Sequence, residues 1–446
     1  GEVLNGGTGT DVFQASFGAS IGAGLRLSGV EELRWNATVD SSINLTDVTG
    51  LTTATVECDG ASHVLTLLNI SGSPLPTLAF RGNNSQTAQT CDGVTYQATG
   101  VAGSSDSLTL NVNNRGTALN AWGTTNVTTV GALTIPSVES LSLTVTDGPA
   151  TFGGITASTL TTFTATASSN LTLGTVNDGT AGVASSIVSV NLSAVTGNSS
   201  ATFNDLGAGA SVTLGAGNDT FISTGSAGTS STISGGAGND TLTAHDGSAN
   251  VINGEAGNDT LVGGSGNDTI NGGTDNDTIT PGTGDDAVTP GAGNDTIIFA
   301  SSSLDTLTLE TGDLDGSAID DIFDFTACAA FIGGTTVDIA IVSDTDLSAG
   351  GANNAAGGDN IIILTGQFFA NAGALNSATT ADGLVNMDTG KALFVYSTAA
   401  GGDTRMAFCN VNQAGSLSAC TDLAIIPGLT VAEASTGLAN TNFVTD

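Results

Sequence analysis

From Gly254 to Ile298 the chain repeats every nine residues without a gap: GEAGNDTLV, GGSGNDTIN, GGTDNDTIT, PGTGDDAVT and PGAGNDTII. Further copies start at Leu214 (LGAGNDTFI) and Gly235 (GGAGNDTLT), and an isolated one at Gly6 (GGTGTDVFQ). Degenerate copies start at Ser226 and His245, where Ser231 and Asn250 stand in for the sixth-position Asp. Six residues of each unit form a turn, with glycines where φ is positive or backbones pass closely. The remaining three form a short strand whose apolar residue points inward: Leu242, Leu261, Ile270, Ile279, Val288 and Ile297. Two units make one coil of a roll, so residues eighteen apart stack at the strand spacing of about 4.8 Å. One edge is then expected to carry Asp240, Asp259, Asp277 and Asp295, and the other Asn250, Asp268 and Asp286.

Stacking acids this way needs a counter-charge. Carboxylates about 5 Å apart repel by roughly 3 kcal/mol per pair at an effective dielectric near 20. The chain offers little relief, with 6 Lys+Arg against 42 Asp+Glu and a formal charge of −36. It is not a solvated polyelectrolyte, since hydrophobic residues reach 39% and charged residues only 11%. Oxygen ligands on a glycine-rich turn suit Ca2+, a hard ion that accepts six to eight of them. Folding and metal binding are then one event. Nucleic acid and anionic membrane are poor partners and neither is expected, because the chain has almost no cations with which to meet phosphates.

These repeats resemble the RTX (repeats-in-toxin) family. The resemblance implies several Ca2+ ions, with carboxylates from Asp11, Asp219, Asp240, Asp259, Asp268, Asp277, Asp286 and Asp295. It implies backbone oxygens from the turn glycines Gly215, Gly217, Gly236, Gly238, Gly257, Gly264, Gly266, Gly273, Gly282, Gly284, Gly291 and Gly293. Beside them it places the fifth-position residues Asn239, Asn258, Asn267, Asn276, Asp285 and Asn294. Asp275, in place of the fourth-position glycine, departs from the pattern.

The expected fold is all-β: a parallel β-solenoid or β-roll with a β-rich C-terminal cap. Residues 1–213 read as a Thr-rich solenoid, with a β-sandwich as the alternative; 214–298 as the calcium roll; 299–446 as the C-terminal domain. A phrase recurs in the first part, Gly29-Val30-Glu31-Glu32-Leu33 and Ser137-Val138-Glu139-Ser140-Leu141, each leading into a strand. In the last part Ile361–Leu364, Ala392–Tyr396 and Arg405–Phe408 are expected strands and Ser377–Met387 an expected helix. Cys409 and Cys420 flank a hairpin and are expected to bridge it; Cys58 and Cys91 are a second candidate pair, leaving Cys328 odd. The chain opens Gly1-Glu2-Val3 with no leader-like segment, as expected if a leader has been removed or, the favoured reading, if it is a piece of a longer protein.

No catalytic site emerges. HExxH is absent, and the two histidines, His63 and His245, stand apart without a neighbouring Glu. Gly18-Ala19-Ser20-Ile21-Gly22 matches GxSxG but lacks the strand and helix that would frame a nucleophile. His245 is expected as an exposed turn residue and His63 as a strand end. No run of 18 apolar residues marks a transmembrane helix. A long, Thr/Gly/Ala-rich β-chain with these repeats and almost no lysine resembles bacterial surface-layer (S-layer) proteins exported by type I secretion. The polar end Thr441–Asp446 is similar to the tails of such secreted chains. That resemblance implies a structural, extracellular, self-assembling role on the cell surface, with other copies as partners and a cell-surface polysaccharide as anchor. The alternative is an RTX adhesin, or the calcium-binding tail of a larger exoprotein.

Overall fold

Strands here alternate an apolar residue with Thr or Ser, and such a strand can hide only one face. In Ser140–Thr146, Leu141, Leu143 and Val145 are buried while Ser142 and Thr146 face water. The computed structural model describes residues 4–17, 25–37, 40–58, 65–70, 75–82, 90–91, 94–98, 106–113, 128–136, 138–146, 148–177, 186–204, 206–224, 230–299, 304–308, 322–324, 339–343, 361–368, 390–397, 403–411, 417–427 and 443–444. Among them all regular structure is strand and none is helix. The segment expected as a helix, Ser377–Met387, lies outside the described residues, as do Gly18–Gly22, His63 and Cys328. The chain divides into two compact units, Gly1–Thr241 and Leu242–Asp446.

Unit 1 is a parallel β-solenoid. One sheet stacks Val12–Phe17, Glu32–Ala37, Thr53–Cys58, Thr77–Gly82, Ser107–Asn113, Ser140–Thr146, Thr162–Ala167, Ser189–Val195, Ala210–Thr213 and Ser231–Ala237 in chain order. The intervening strands, from Ser41–Asn44 through Ala150–Thr156 and Leu171–Asn177 to Thr220–Thr224, stack likewise in a second sheet. The parallel register removes the β-sandwich alternative, whose neighbouring strands run antiparallel. Like residues stack on like, as with Leu108 on Leu141 and Val112 on Val145. Phe163 of the first sheet meets Phe203 of the second edge-on at 5.9 Å, and Phe203 stacks on Phe221 at 5.7 Å. Fully burying such a ring is worth about 1.5–3 kcal/mol.

The recurring Val-Glu phrase has a structural job. Val30 and Val138 are buried, while Glu31 and Glu139 accept the backbone N–H of Asp11 (2.8 Å) and Asp106 (2.9 Å) on the preceding coil. Thr52 and Thr161 on the following coil donate their hydroxyls to the Glu31 and Glu139 carbonyls, both at 2.9 Å. The two phrases are therefore copies of one corner that ties three coils together.

Unit 2 begins as a tighter solenoid. Val251–Ala256, Thr269–Thr274, Ala287–Ala292 and Asp305–Leu307 stack in one parallel sheet. Thr260–Val262, Thr278–Thr280, Thr296–Ile298, Ile322–Asp324 and Phe443–Val444 stack in the other. The predicted inward residues Leu261, Ile270, Ile279, Val288 and Ile297 fill the space between them, as Leu242 does at the unit's start. Strand Leu417–Ile426 continues the first sheet beside Asp305–Leu307. It then pairs antiparallel with Thr404–Val411, which pairs antiparallel with Gly390–Ser397. A Cys409–Cys420 disulfide joins two of these strands, as the hairpin spacing predicts. In the same sheet the Tyr396 hydroxyl donates to Asp422 Oδ1, and Arg405 donates to Asp422 Oδ2 at 2.9 Å.

Candidate metal centre

The turns come first, because they place every oxygen that follows. At Gly264 and Gly266 φ is +101° and +125°, and a Cβ on Gly266 would sit 2.2 Å from the Ser248 carbonyl oxygen. Only glycine satisfies both demands. The same alternation recurs at Gly236/Gly238, Gly282/Gly284, Gly291/Gly293 and, in the isolated first repeat, Gly7/Gly9. Two turns keep it with an acid in a left-handed position, Glu255 (φ +78°) before Gly257 and Asp275 (φ +77°) after Gly273. Gly215 and Gly217 are not left-handed, so the turn leading to Asp219 is of another kind.

Each turn folds its sixth-position carboxylate inward, and the carboxylates form ladders. In unit 2 the Asp259 N–H donates to Asp277 Oδ1 (2.8 Å) and the Asp277 N–H to Asp295 Oδ1 (2.7 Å). On the other edge the bonds run from Asn250 to Asp268 (2.7 Å), Asp268 to Asp286 (2.8 Å) and Asp286 to Asp305 (3.1 Å). In unit 1 the Asp219 N–H donates to Asp240 Oδ1 at 2.7 Å. All these side chains are buried.

The second carboxylate oxygen is the informative one. Oδ2 of Asp268, Asp277 and Asp286 is buried with no hydrogen-bond partner, a state that costs about 1–3 kcal/mol or more for a charged group. A Cβ built on Gly272 would lie 2.4 Å from Asp277 Oδ2 and 2.1 Å from the Pro290 carbonyl oxygen. On Gly254 it would lie 2.3 Å from Asp259 Oδ2 and 2.4 Å from the Gly272 oxygen. On Gly263 the corresponding values are 2.7 Å to Asp268 Oδ2 and 2.3 Å to the Pro281 oxygen. A side chain at these first positions would collide with both oxygens, so glycine there lets a carboxylate oxygen and a carbonyl oxygen of the next coil lie together against the turn backbone. Among the described residues no group of three or more Asp, Glu, His or Cys side chains gathers on one point. A cation held here would take most of its ligands from turn carbonyls, which suits Ca2+.

The fifth-position side chains do something else. Their oxygens form an exposed ladder running the opposite way: Asn258 Oδ1 accepts the Asn276 N–H (3.0 Å), and Asn276 Oδ1 accepts the Asn294 N–H (2.8 Å). Asn267 accepts from Asp285 (3.2 Å), and Asp285 from Leu304 (3.2 Å). In unit 1 the same ladder runs from Asn170 through Asn198 and Asn218 to Asn239, starting in coils that carry no nonapeptide. The side chains of Asn258, Asn267, Asn276 and Asp285 thus belong to a rail along the turn, which Asn239 and Asn294 join through their backbone N–H groups and which the repeat pattern alone does not reveal.

Burial also sets the charge state. Desolvation pushes the Asp268 and Asp286 carboxyls up to about 6 and those of Asp277 and Asp305 up to about 7. Neighbouring carboxylates add to the rise, and the backbone N–H bonds oppose it. Asp305 is a rung that the nine-residue count misses. It follows Asp286 by 19 residues, and its signal was the trio Asp305-Thr306-Leu307, which repeats the Asp-Thr-aliphatic ending of the nonapeptides.

Three residues stand apart. Both Asp219 oxygens are taken by backbone, Oδ1 by the Ser199 N–H (2.5 Å) and Oδ2 by the Gly215 N–H (3.1 Å). Asp11 keeps a buried Oδ2 with no hydrogen-bond partner, beside a turn of the array's type. His245 is buried at 4% exposure, not exposed as the sequence suggests. The first position of a repeat faces the coil interior, and His245 Nε2 lies 3.4 Å from the buried Ser248 hydroxyl.

Comparison with known proteins agrees with this geometry over one stretch. No curated protein and no solved structure matches the chain. Residues 226–261, 246–279 and 262–297 match the family model of the RTX calcium-binding nonapeptide repeat (4 copies). The stretch 226–297 is therefore an array of RTX calcium-binding nonapeptide repeats carried on a β-solenoid.

Proposed function

We propose that this is a secreted structural protein whose fold is completed by calcium outside the cell and which then assembles with its own copies into a surface layer. The buried, hydrogen-bond-free Oδ2 of Asp268, Asp277 and Asp286 carries the reading, because a repeated carboxylate ladder of this kind, once ionised, needs cations between its rungs. The carboxylates of Asp240, Asp259, Asp268, Asp277, Asp286 and Asp295, with carbonyls of the following turns, would hold Ca2+. Calcium supplies charge neutralisation there and no reaction. Secretion is supported by the repeat type and by the Cys409–Cys420 disulfide, a bond that persists in oxidising compartments. No helix among the described residues is long and apolar enough to cross a membrane.

Self-assembly follows from charge. About six bound ions would bring the formal charge from −36 to about −24. Repulsion between copies falls, and ions shared between acidic turns of neighbours bridge them. Scarce Lys and Arg leave few cleavage sites for trypsin-like proteases, which suits an exposed coat. Imaging purified protein in millimolar calcium tests this: ordered sheets or filaments that dissolve in chelator are expected. A folded, calcium-loaded chain that stays monomeric at high concentration would instead indicate an adhesin or the tail of a larger exoprotein.

A further inference from the structure

The degenerate turn His245–Asn250 sits first on its edge of the unit 2 ladder, and it is closed differently from the turns that follow. Its sixth residue is an amide. Asn250 Nδ2 donates to the His245 carbonyl at 3.2 Å and to the Ser248 carbonyl at 3.1 Å, which are the first- and fourth-position carbonyls of its own turn. Its backbone N–H donates to Asp268 Oδ1 at 2.7 Å, as an Asp in that position would. Asn250 is 1% exposed. The rung keeps its place in the ladder, while the two hydrogens of a neutral amide meet carbonyls of its own turn where an Asp would bring a second carboxylate oxygen.

We propose that Asn250 is a built-in substitute for a calcium ion: its amide satisfies the turn carbonyls of 245–250, so this coil closes without metal and forms the floor on which the calcium-dependent coils stack. This rests on the calcium reading of the array and adds a residue-level distinction within it. The Asn-for-Asp change looks like repeat decay in the sequence, yet a decayed turn would leave the His245 and Ser248 carbonyls to water, and at this burial they meet an amide instead. The device gives the array a direction. Asp268, the first acid on this edge, is held by a neutral rung on one side and by the acidic ladder on the other. Calcium-driven ordering then starts at a preformed coil.

The test is the number of calcium ions held by the full chain, counted by native mass spectrometry at saturating calcium, in wild type and in Asn250→Asp. Asn250→Asp restores the repeat consensus and is expected to bind one ion more than wild type, and to melt at a lower temperature than wild type in chelator. An unchanged ion count would overturn the proposal while leaving the array's calcium binding intact; no calcium on either protein would overturn the array reading itself. Should the variant not fold, wild type carrying 15N-asparagine decides. The Asn250 side-chain amide protons of the calcium-loaded protein are expected to resist exchange with water, and rapid exchange would refute their bonds to the two carbonyls.

Discussion

Replacing Asp277 by Asn should stabilise the calcium-free protein and destabilise the calcium-loaded one. Asp277 is 2% exposed, accepts the Asp259 N–H through Oδ1 and holds Oδ2 without a hydrogen bond. Asparagine keeps the acceptor, removes the charge and places an amide where Asn250 already shows one can be satisfied. Burial, with help from Asp295, Asp259 and Asp275, raises the Asp277 carboxyl from 3.8 to about 7. A group whose folded pKa is raised gives stability that is full below the unfolded value and lost as pH rises through the folded one. At pH 8 that loss is about 4 kcal/mol at 1.36 kcal/mol per pKa unit, or roughly 2–4 kcal/mol once the turn's nearness to solvent is allowed for. Asp277→Asn should recover this in EGTA, seen as a higher urea midpoint by circular dichroism at pH 8, with the gain shrinking towards pH 5. In saturating calcium the order reverses. Equal destabilisation in both conditions would refute the view that an uncompensated charge strains this rung.

Protons should replace calcium in the absence of metal: in EGTA, acidifying from pH 8 to 5 should raise β content as Asp268, Asp286, Asp277 and Asp305 protonate near 6 to 7. With calcium present, the same acidification should weaken binding in a calorimetric titration. Asp286→Ala should lower calcium affinity about tenfold or more and strand the Asp268 N–H, whereas Asn276→Ala, on the exposed rail, should cost about 1 kcal/mol and leave calcium affinity unchanged. Phe203→Ala should destabilise unit 1 by about 3–5 kcal/mol equally with and without calcium, measured by thermal melting, because its ring packs between Phe163 and Phe221 and the nearby Asp219 has both oxygens held by backbone N–H groups.

Much of unit 2 was legible because a nine-residue period forces one register: Ile270 stacks on Val288 and Leu261 on Ile279, as the spacing requires. The ladder's end was not, since Asp305 follows Asp286 by 19 residues and lacks the glycine turn. Nor could the sequence separate the oxygens of Asp277 and Asn276. Both are polar and adjacent, and only the backbone direction sends one inward and the other along the surface rail. In unit 1 the alternation of Leu108, Leu110 and Val112 fits a sandwich as well as a solenoid, because alternation reports burial of one face and not the partner's direction. The Glu31 and Glu139 phrase was visible as an echo, but its role needed the coil above it, 20 residues away for Asp11 and 33 for Asp106.

Hydrogen exchange on the full chain, with calcium and then with EGTA at pH 8, tests the central claim most directly. Residues 254–298 should be protected in calcium and should exchange freely in chelator, while residues 140–177 of unit 1, closed by hydroxyl, amide and apolar contacts, stay protected in both. Unchanged protection of 254–298 in EGTA would contradict the account, because it would mean that the stacked carboxylates stand without a cation.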